Sequence, residues 1–275
     1  MKDDFKNIVS TDWLAQHLEA PDIRIIDSSW YFPQEKRNAE QEFLECHIPG
    51  ASFFDIDKIK DNDSDLPHML PPSAMFNSTV RKLGIGDGHK VVIYDGFGMR
   101  SAARLWWMFK VFGYSDVVVL DGGFPKWVKE NRSTTAEITE KEIRHLTIYE
   151  DKSIVADRDD VLRATKLNHC SIIDARSEGR FMGTAPEPRS GLRSGSIENS
   201  INVPYETLLN EDFTFKSKRE IIDIFSKKGV VFNNYIITTC GSGVTAAVLY
   251  LALDEIGCSK ISLYDGSWAE WGKID

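Results

Sequence analysis

One cysteine of this sequence stands where a strand pattern changes into a helix pattern. Cys240 follows the β-branched run YIITT and precedes GSGVTAAVLYL (241–251), an apolar helical pattern. In parallel sheets, ligands bind beyond the carboxyl ends of the strands. The N–H groups of a helix's first turn are unpaired and carry the positive end of the helix dipole, so they bind anions and favour a thiolate. Cys240 is therefore a candidate nucleophile.

Two glycines shape the loop that follows this cysteine. Gly241 and Gly243 let the backbone bend so that several N–H groups point inward. A buried cysteine followed by an ordinary βα turn stays open as an alternative, because glycine turns are common. Two chemistries use a thiolate in such a loop, namely attack on a phosphate ester and attack on a sulfur atom. Attack on a phosphate ester needs an arginine six residues after the cysteine. That position is Ala246, which disfavours a cysteine phosphatase.

The chain carries an internal repeat with a period of about half its length. RIIDSSW (24–30) matches SIIDARS (171–177), and VVIYDGFGMRSAARLWW (91–107) matches YIITTCGSGVTAAVLYL (235–251) with one inserted residue. The positions that pair in one order are Asp27 with Asp174, Asp95 with Cys240, Gly113 with Gly257, Asp121 with Asp265 and Trp127 with Trp271. Asp95 cannot carry sulfur as a thiol does. We therefore expect a non-catalytic first copy and a single site between the copies.

Each copy alternates short apolar runs with helical patterns, which predicts an α/β fold of two parallel sheets flanked by helices. The predicted strands are 23–27, 91–95, 116–120, 171–175, 235–240 and 260–264. The predicted helices include 101–112, with Ser101 as N-cap, and 244–256. The polar stretch ENRSTTAEITEKE suggests the boundary between the copies. We predict an N-terminal domain over 1–135, a linker over 136–152 and a catalytic domain over 153–275.

Composition and charge limit the classes of partner. The 275 residues are 42% hydrophobic with a formal net charge of −9, which suggests neither a nucleic acid nor a membrane as partner. The opening MKDDFKNIVSTDWLAQHL lacks the apolar core of a signal peptide, so we expect a cytoplasmic protein. The four cysteines form no CxxC pair and no zinc-ligand spacing, so no metal site is expected.

The whole chain, from about residue 9 to 272, resembles a two-domain sulfurtransferase of the rhodanese superfamily. CGSGVTA (240–246) resembles the active-site loop of the 3-mercaptopyruvate sulfurtransferases in that superfamily, and the other matching motifs are HIPGASFFDID, SDLPHMLP, DGGFPKW and GRFMGTAPEPR. The resemblance implies two tandem rhodanese-like domains and a persulfide on Cys240. It also implies a small-molecule sulfur donor and a thiol, thioredoxin or cyanide as acceptor. No cofactor is implied, and we expect a monomer.

The resemblance also implies a set of donor-binding residues. Arg180 and Arg189, in the loop EGRFMGTAPEPRSGLRSG (178–195), match the two substrate-binding arginines of the family. A guanidinium suits a carboxylate beside a ketone, although solvated loop arginines remain the alternative. The remaining loop residues expected to surround the donor are Gly241, Gly243, Val244 and Thr245. We interpret Arg176 and Asp174 as structural residues at the base of the 178–195 loop.

The proton-handling groups and the donor leave alternatives open. By resemblance, Ser242 and the histidine of HIPGA, His47, would relay the thiol proton, whereas ordinary structural roles are the alternative for both. Thiosulfate-type enzymes of the family carry basic residues directly after the cysteine, where this chain has Gly241 and Ser242. The sequence therefore favours 3-mercaptopyruvate over thiosulfate as donor. A cysteine phosphatase and a non-enzymatic sulfur carrier remain the other hypotheses.

Overall fold

Two parallel sheets form the frame of the computed structural model, which describes residues 5–274. The first sheet has the order β1-β5-β4-β2-β3, from the strands β1 (Ile8–Val9), β2 (Ile23–Asp27), β3 (Ser52–Phe53), β4 (Lys90–Tyr94) and β5 (Val117–Leu120). The second has the order β6-β10-β9-β7-β8, from β6 (Val155–Ala156), β7 (Cys170–Asp174), β8 (Ser200–Asn202), β9 (Tyr235–Thr239) and β10 (Ile261–Tyr264). The two orders are the same, so the predicted tandem α/β architecture is confirmed.

Helices cover the faces of both sheets. Their bounds are α1 (Thr11–His17), α2 (Ala39–Glu45), α3 (Ser73–Lys82), α4 (Ser101–Val111), α5 (Gly123–Lys129), α6 (Arg158–Ala164), α7 (Glu178–Phe181), α8 (Lys218–Lys227), α9 (Ala246–Glu255) and α10 (Ser267–Trp271). Short 3₁₀ helices lie at Pro33–Glu35, Lys152–Ile154 and Tyr205–Leu208. Within residues 5–274, no helix has the length and apolar character needed to cross a membrane.

The start of α4 corrects one prediction. Ser101 is the first helical residue rather than the N-cap, and its buried hydroxyl has no hydrogen-bond partner. The carboxylate of Asp95 caps this helix instead. Its Oδ1 accepts hydrogen bonds from the N–H groups of residues 97 and 98, at 3.0 and 2.7 Å, and its Oδ2 from those of residues 100 and 102, each at 2.8 Å. The first domain thus fills its helix N-terminus with an internal anion.

The helices that follow β4 and β9 join the two domains. Every residue of α4 except Lys110, and every residue of α9 except Asp254, is buried. The rings of Trp106 and Tyr250 lie 6.0 Å apart across this contact. A helix that is apolar on all sides is stable only inside a core. The domains therefore share one hydrophobic core, which includes both helices.

The segments at the two ends of the first domain pack on different domains. Residues 136–151 form no helix or strand and lie along the N-terminal domain, where the Tyr149 and Asp151 N–H groups donate to the carbonyls of Phe112 and Val111 at 3.1 and 2.6 Å. Residues at the start of the described chain lie instead on the C-terminal domain. The N–H groups of residues 6 and 7 donate to the buried Glu255 carboxylate at 2.9 and 2.6 Å.

Candidate active site

Cys240 comes directly after β9 and is 2% exposed. Its N–H donates to Ser267 Oγ at 3.2 Å, and its carbonyl accepts the N–H of Trp268 at 2.9 Å. The Gly241 carbonyl accepts the N–H of Ala269 at 2.8 Å. The beginning of α10 therefore fixes the backbone on both sides of the thiol, as a site on a rigid scaffold requires.

The N–H groups after the cysteine differ from those of the matching loop in the first domain. Asp95 accepts four such groups, whereas in the described part of the chain no protein atom accepts a hydrogen bond from the N–H groups of residues 241–245. These groups precede α9, whose N-terminus carries partial positive charge. The second loop therefore offers an anion site that the protein itself does not fill.

Ser242, Arg189 and His68 form a cluster beside this loop. Arg189 Nη2 lies 3.3 Å from Ser242 Oγ and 3.2 Å from His68 Nε2. Arginine only donates, so the serine oxygen and Nε2 both act as acceptors here. Burial lowers the pKa of Arg189, and the neighbouring Cys240 acts in the opposite direction. The half-buried guanidinium thus links residues 240–245, called the thiol loop below, to a histidine from the first domain.

His68 is neutral in this arrangement. It is 4% exposed, and burial together with the charges of Arg189 and Arg104 lowers its pKa to about 3. Because Nε2 accepts from Arg189, its proton belongs on Nδ1, which faces Asp57 Oδ1 at 3.2 Å without hydrogen-bond alignment. The Trp30 ring meets the imidazole edge-on at 4.9 Å. The first domain therefore supplies a rigid acceptor that holds Arg189.

Arg180 reaches the same loop from the other side. A Cβ placed on Gly241 would lie 2.8 Å from Arg180 Nη2, which shows how closely the guanidinium approaches the thiol loop. The buried Glu187 carboxylate accepts from Nη2 at 2.6 Å and from Nε at 3.3 Å. The Nη1 group of Arg180 has no described protein partner, so it is available to a ligand.

Arg176 and Asp174 lie at the base of the 178–195 loop and have structural contacts there, as the sequence predicts. Their side chains are fully buried and pair at 2.7 Å, and Arg176 also bonds Glu187 at 2.7 Å and the Gly195 carbonyl at 2.8 Å. The guanidinium lies 4.2 Å from the centre of the Trp268 ring. Because Glu187 bridges Arg176 and Arg180, it fixes the direction of the arginine that faces the thiol loop.

A cleft of about 350 Å³ opens beside these groups. Its walls come from both domains, with Phe32 and Glu35 from the first and Arg180, Tyr205 and Thr245 from the second. Val244, at 2% exposure, is not part of the cleft wall, whereas Thr245, at 8% exposure, is. The cleft has the size range of small-molecule sites.

The structure brings together Cys240, Ser242, Arg180 and Arg189, and it places His47 elsewhere. His47 is fully buried, stacks on Phe43 at 4.1 Å, and bonds the Phe43 carbonyl through Nδ1 at 2.6 Å. Its backbone pairs with Thr135. These partners all belong to the first domain, and no described contact joins His47 to Cys240 or Ser242. The histidine at the site is His68.

Three residues of the site, His68, Asp57 and Glu187, are not predicted from the sequence. His68 belongs to SDLPHMLP and Glu187 to GTAPEPR, two motifs that carried the resemblance. A polar residue inside a matching motif is the signal that could have singled them out. Among residues 5–274, no three His, Cys, Asp or Glu side chains are grouped to hold a metal ion.

Comparison with known proteins agrees with this fold. The profile of the Rhodanese-like domain matches residues 10–130 and 157–274, and the chain belongs to the rhodanese family. A 3-mercaptopyruvate sulfurtransferase from Mus musculus is 40% identical over 273 residues, which are 97% of this chain and 92% of the relative. A thiosulfate sulfurtransferase from Rattus norvegicus is 41% identical over 274 residues, with the same two coverages.

A solved structure gives the same result. The crystal structure of SseA from Escherichia coli, described as a 3-mercaptopyruvate sulfotransferase with the rhodanese fold, superposes with a TM-score of 0.87 at 40% identity. The match covers 95% of this chain and 98% of that chain. The predicted enzyme class is thereby confirmed, and the chain is a tandem-domain sulfurtransferase.

Proposed function

We propose that the enzyme takes the sulfur atom of 3-mercaptopyruvate onto Cys240 and passes the resulting persulfide sulfur to a thiophilic acceptor. The observation that carries this proposal is the cluster of Arg189, Ser242 and His68 beside the buried thiol. It offers one cation and one hydroxyl next to Cys240, and the charge of Arg180 on the other side of the loop is already paired with Glu187. A monoanionic donor with a carboxylate and a ketone suits this small number of charges.

Two arginines would hold the donor. Arg189 Nε and Nη1 and Arg180 Nη1 have no described protein partner, so they can donate to the donor's carboxylate and ketone oxygens. Glu187 and His68 keep the two guanidinium groups in place, which lowers the entropy cost of binding. The same groups would stabilise negative charge on the ketone oxygen as it develops.

The first half-reaction breaks the carbon–sulfur bond of the donor. The Cys240 thiolate attacks the donor's sulfur, a sulfur–sulfur bond forms, and the bonding electrons pass to carbon as the enolate of pyruvate. The proton of the donor's thiol leaves the persulfide and one proton adds to the enolate carbon, so the step is balanced. Since Arg189 occupies an oxygen lone pair of Ser242, the serine hydrogen remains free to bond the donor.

The second half-reaction would return the thiolate. An acceptor such as a small thiol, thioredoxin or cyanide attacks the outer sulfur, and Cys240 leaves as thiolate. The unfilled N–H groups of residues 241–245 support a persulfide anion between the two steps, because four comparable groups bind the carboxylate of Asp95 in the first domain.

Intact-mass spectrometry tests the persulfide directly. Wild-type enzyme mixed with 3-mercaptopyruvate should gain one sulfur atom and release one pyruvate per chain, whereas Cys240→Ser should do neither. Cys170→Ser is the matched control, because burial raises the pKa of that thiol and it should load sulfur as the wild type does. Sulfur gained by the Cys240→Ser chain, or none gained by the wild type, would contradict the proposal.

Thiosulfate is the second candidate donor, because the rat thiosulfate sulfurtransferase is as similar to this chain as the mouse relative. Identity therefore does not choose the donor, and the loop after the cysteine supports 3-mercaptopyruvate. Gly241 and Ser242 add no cation for a dianion. Faster turnover of thiosulfate than of 3-mercaptopyruvate on the purified enzyme would reverse this choice.

A further inference from the structure

One arginine of the first domain reaches into the site of the second. Arg104, on α4, is fully buried, and its Nη2 donates to Asp265 Oδ1 at 2.6 Å and to the His68 carbonyl at 2.5 Å. Its Nη1 lies 3.4 Å from the Gly243 carbonyl. Asp265 Oδ2 accepts the N–H of Leu70 at 2.8 Å. Arg104 thus bonds to three segments outside α4: the loop SDLPHMLP (64–71), called the His68 loop below, the thiol loop and the residue after β10.

The internal repeat supplies a second copy of this junction. His68 and Phe213 both have a left-handed backbone, with φ of 60° and 63°, although neither is glycine. Two residues after Phe213, the N–H of Phe215 donates to Asp121 at 2.9 Å, as that of Leu70 donates to Asp265. Each domain therefore sends an equivalent loop to the helix N-terminus of the other.

The two junctions differ at the residues that could do chemistry. Counting along the repeat, Arg104 corresponds to Val248, which is fully buried in α9. His68 corresponds to Phe213, whose ring contacts Phe97 at 5.3 Å. At the position equivalent to Arg104, the junction beside Asp95 therefore has an apolar residue and still holds its loop, with Arg100 stacked on Phe97 at 3.5 Å. The fold of the junction does not require an arginine at this position, and only the Cys240 side has one there.

We propose that Arg104 is a positioning residue for sulfur transfer, which holds the His68 loop against the thiol loop so that His68 keeps Arg189 beside Ser242. This inference rests on the proposed function of the Cys240 site. Its physical basis is the planar guanidinium, which bonds two carbonyls and a carboxylate at once. Lysine carries the same charge and cannot make this set of bonds in one geometry.

The test compares Arg104→Lys with Arg100→Lys. Arg100 is the matched control because it is also buried and also crosses the domains, through Tyr205 OH at 3.3 Å, while it contacts neither His68 nor Gly243. The first measurement is the NMR spectrum of enzyme labelled at its six histidines, with the His68 signals assigned from His68→Gln. The second is pyruvate release in a single turnover with 3-mercaptopyruvate.

In Arg104→Lys, we expect the His68 signals alone to move or broaden and the single-turnover rate to fall at least about tenfold. The KM for the donor should rise as well, because His68 would no longer hold Arg189, which is proposed to bind the donor. Arg100→Lys should leave the His68 signals near their wild-type positions. It is a control for the signals and not for the rate, because Arg100 Nη1 bonds Glu35, a wall of the cleft, at 2.8 Å. Unmoved His68 signals, or an unchanged rate, in Arg104→Lys would overturn the proposal.

Two further results remain decisive. If Arg104→Lys does not fold, Asp265→Asn removes the charged partner of Arg104 and should move the same His68 signals, and unmoved signals there would count against the proposal. If the wild type releases no pyruvate from 3-mercaptopyruvate, the proposed function fails. The His68 signals then decide the role of Arg104 on their own, since they do not depend on the donor.

Discussion

Arg189 links side chains of the two domains and would hold the donor in the proposed reaction. It touches Ser242 in its own domain and His68 in the other, and its remaining N–H groups face no described protein acceptor. Because His68 is neutral, the arginine keeps its full positive charge toward a donor. The imidazole therefore acts as an orienting acceptor rather than as a second cation.

Replacing this arginine should weaken donor binding more than it weakens the protein. For Arg189→Lys we expect the KM for 3-mercaptopyruvate to rise about 10- to 100-fold, because lysine loses the planar contact with a carboxylate. Steady-state kinetics measures the change. Arg193→Lys is the control from the same loop, since Arg193 is exposed and packs over Trp268, and its KM should stay near that of the wild type. Equal effects of the two substitutions would contradict this role.

Asp27 predicts a dependence of stability on pH. Burial raises its pKa from 3.8 to about 7, and its partner is Ser29 where the second domain has Arg176. The folded chain keeps this proton between about pH 4 and 7 while the unfolded chain loses it. Stability contributed by the carboxyl group is therefore lost as pH rises through this range.

The substitution Asp27→Asn should flatten that dependence. Between pH 5 and pH 8, we expect the wild type to lose about 2–3 kcal/mol more unfolding free energy than the variant. Urea denaturation at several pH values gives the comparison. Asp63→Asn, in an exposed loop, should leave the pH profile unchanged. A wild-type profile that matches that of Asp27→Asn would show that the buried carboxyl group does not titrate in this range.

At the scale of elements, the turn from β9 into α9 is too tightly packed at Gly243 for a side chain. Gly243 has a φ of +77°, and a Cβ there would lie 2.9 Å from Arg104 Nη1 and 3.0 Å from the Asp265 carbonyl. Gly257, at the other end of α9, has a φ of +91° and no atom within 4 Å of the same Cβ. The two glycines share the backbone conformation and differ in their neighbours.

Alanine at these glycines separates strain from steric clash. Gly257→Ala should cost about 1 kcal/mol of stability and leave turnover near that of the wild type. Gly243→Ala should cost about 2–4 kcal/mol and lower turnover at least about tenfold, because the thiol loop must move. Thermal denaturation and single-turnover assays measure both effects. Similar turnover in the two variants would exclude a tight loop at Gly243.

The central elements could be predicted from the sequence because their signals are local. The six apolar runs became β2, β4, β5, β7, β9 and β10, each within one residue of the predicted bounds. The edge strands β1, β3, β6 and β8 contain two or three residues, too few for a periodic pattern. Helix α9 starts at Ala246 rather than at 244, because the residues before it form the thiol loop.

The site was only partly predictable, since its cross-domain half depends on contacts that no local pattern encodes. Cys240 and the two arginines stand at recognisable positions of a strand end and a glycine-rich loop. His68 and Arg104 belong to the other domain. Because they are far from Cys240 in the sequence, no local pattern indicates that they lie near it. His47 has the same residue type as His68 and a plausible motif, yet it packs on Phe43.

At the scale of the molecule, the two domains form one cooperative unit. α4 and α9 share a core, and the buried Glu255 carboxylate accepts N–H groups from residues 6 and 7 and lies 3.7 Å from Lys218. The segment directly before β1 in one domain is therefore bonded to the last turn of α9 in the other. We expect a single unfolding transition for the whole chain.

Weakening the hydrogen bonds of Glu255 should increase local opening in both domains. Glu255→Gln should lower stability by about 1–3 kcal/mol, because a buried acceptor of two N–H groups loses its charge. Hydrogen exchange should rise at residues 6–9 and in α9 together. Glu220→Gln, at the exposed N-terminus of α8, is the control and should change only local exchange. Faster exchange in one domain alone would contradict the cooperative unit.

The carboxylate of Asp95 has a consequence for the enzyme between the two proposed half-reactions. It gives the N-terminal domain a permanent acceptor for four N–H groups, while residues 241–245 have no protein acceptor among the described residues. A persulfide anion would supply one. The sulfur-loaded enzyme should then melt at a higher temperature than the free enzyme in calorimetry. The catalytic cycle would alternate between a more and a less heat-resistant protein, with the first domain unchanged throughout.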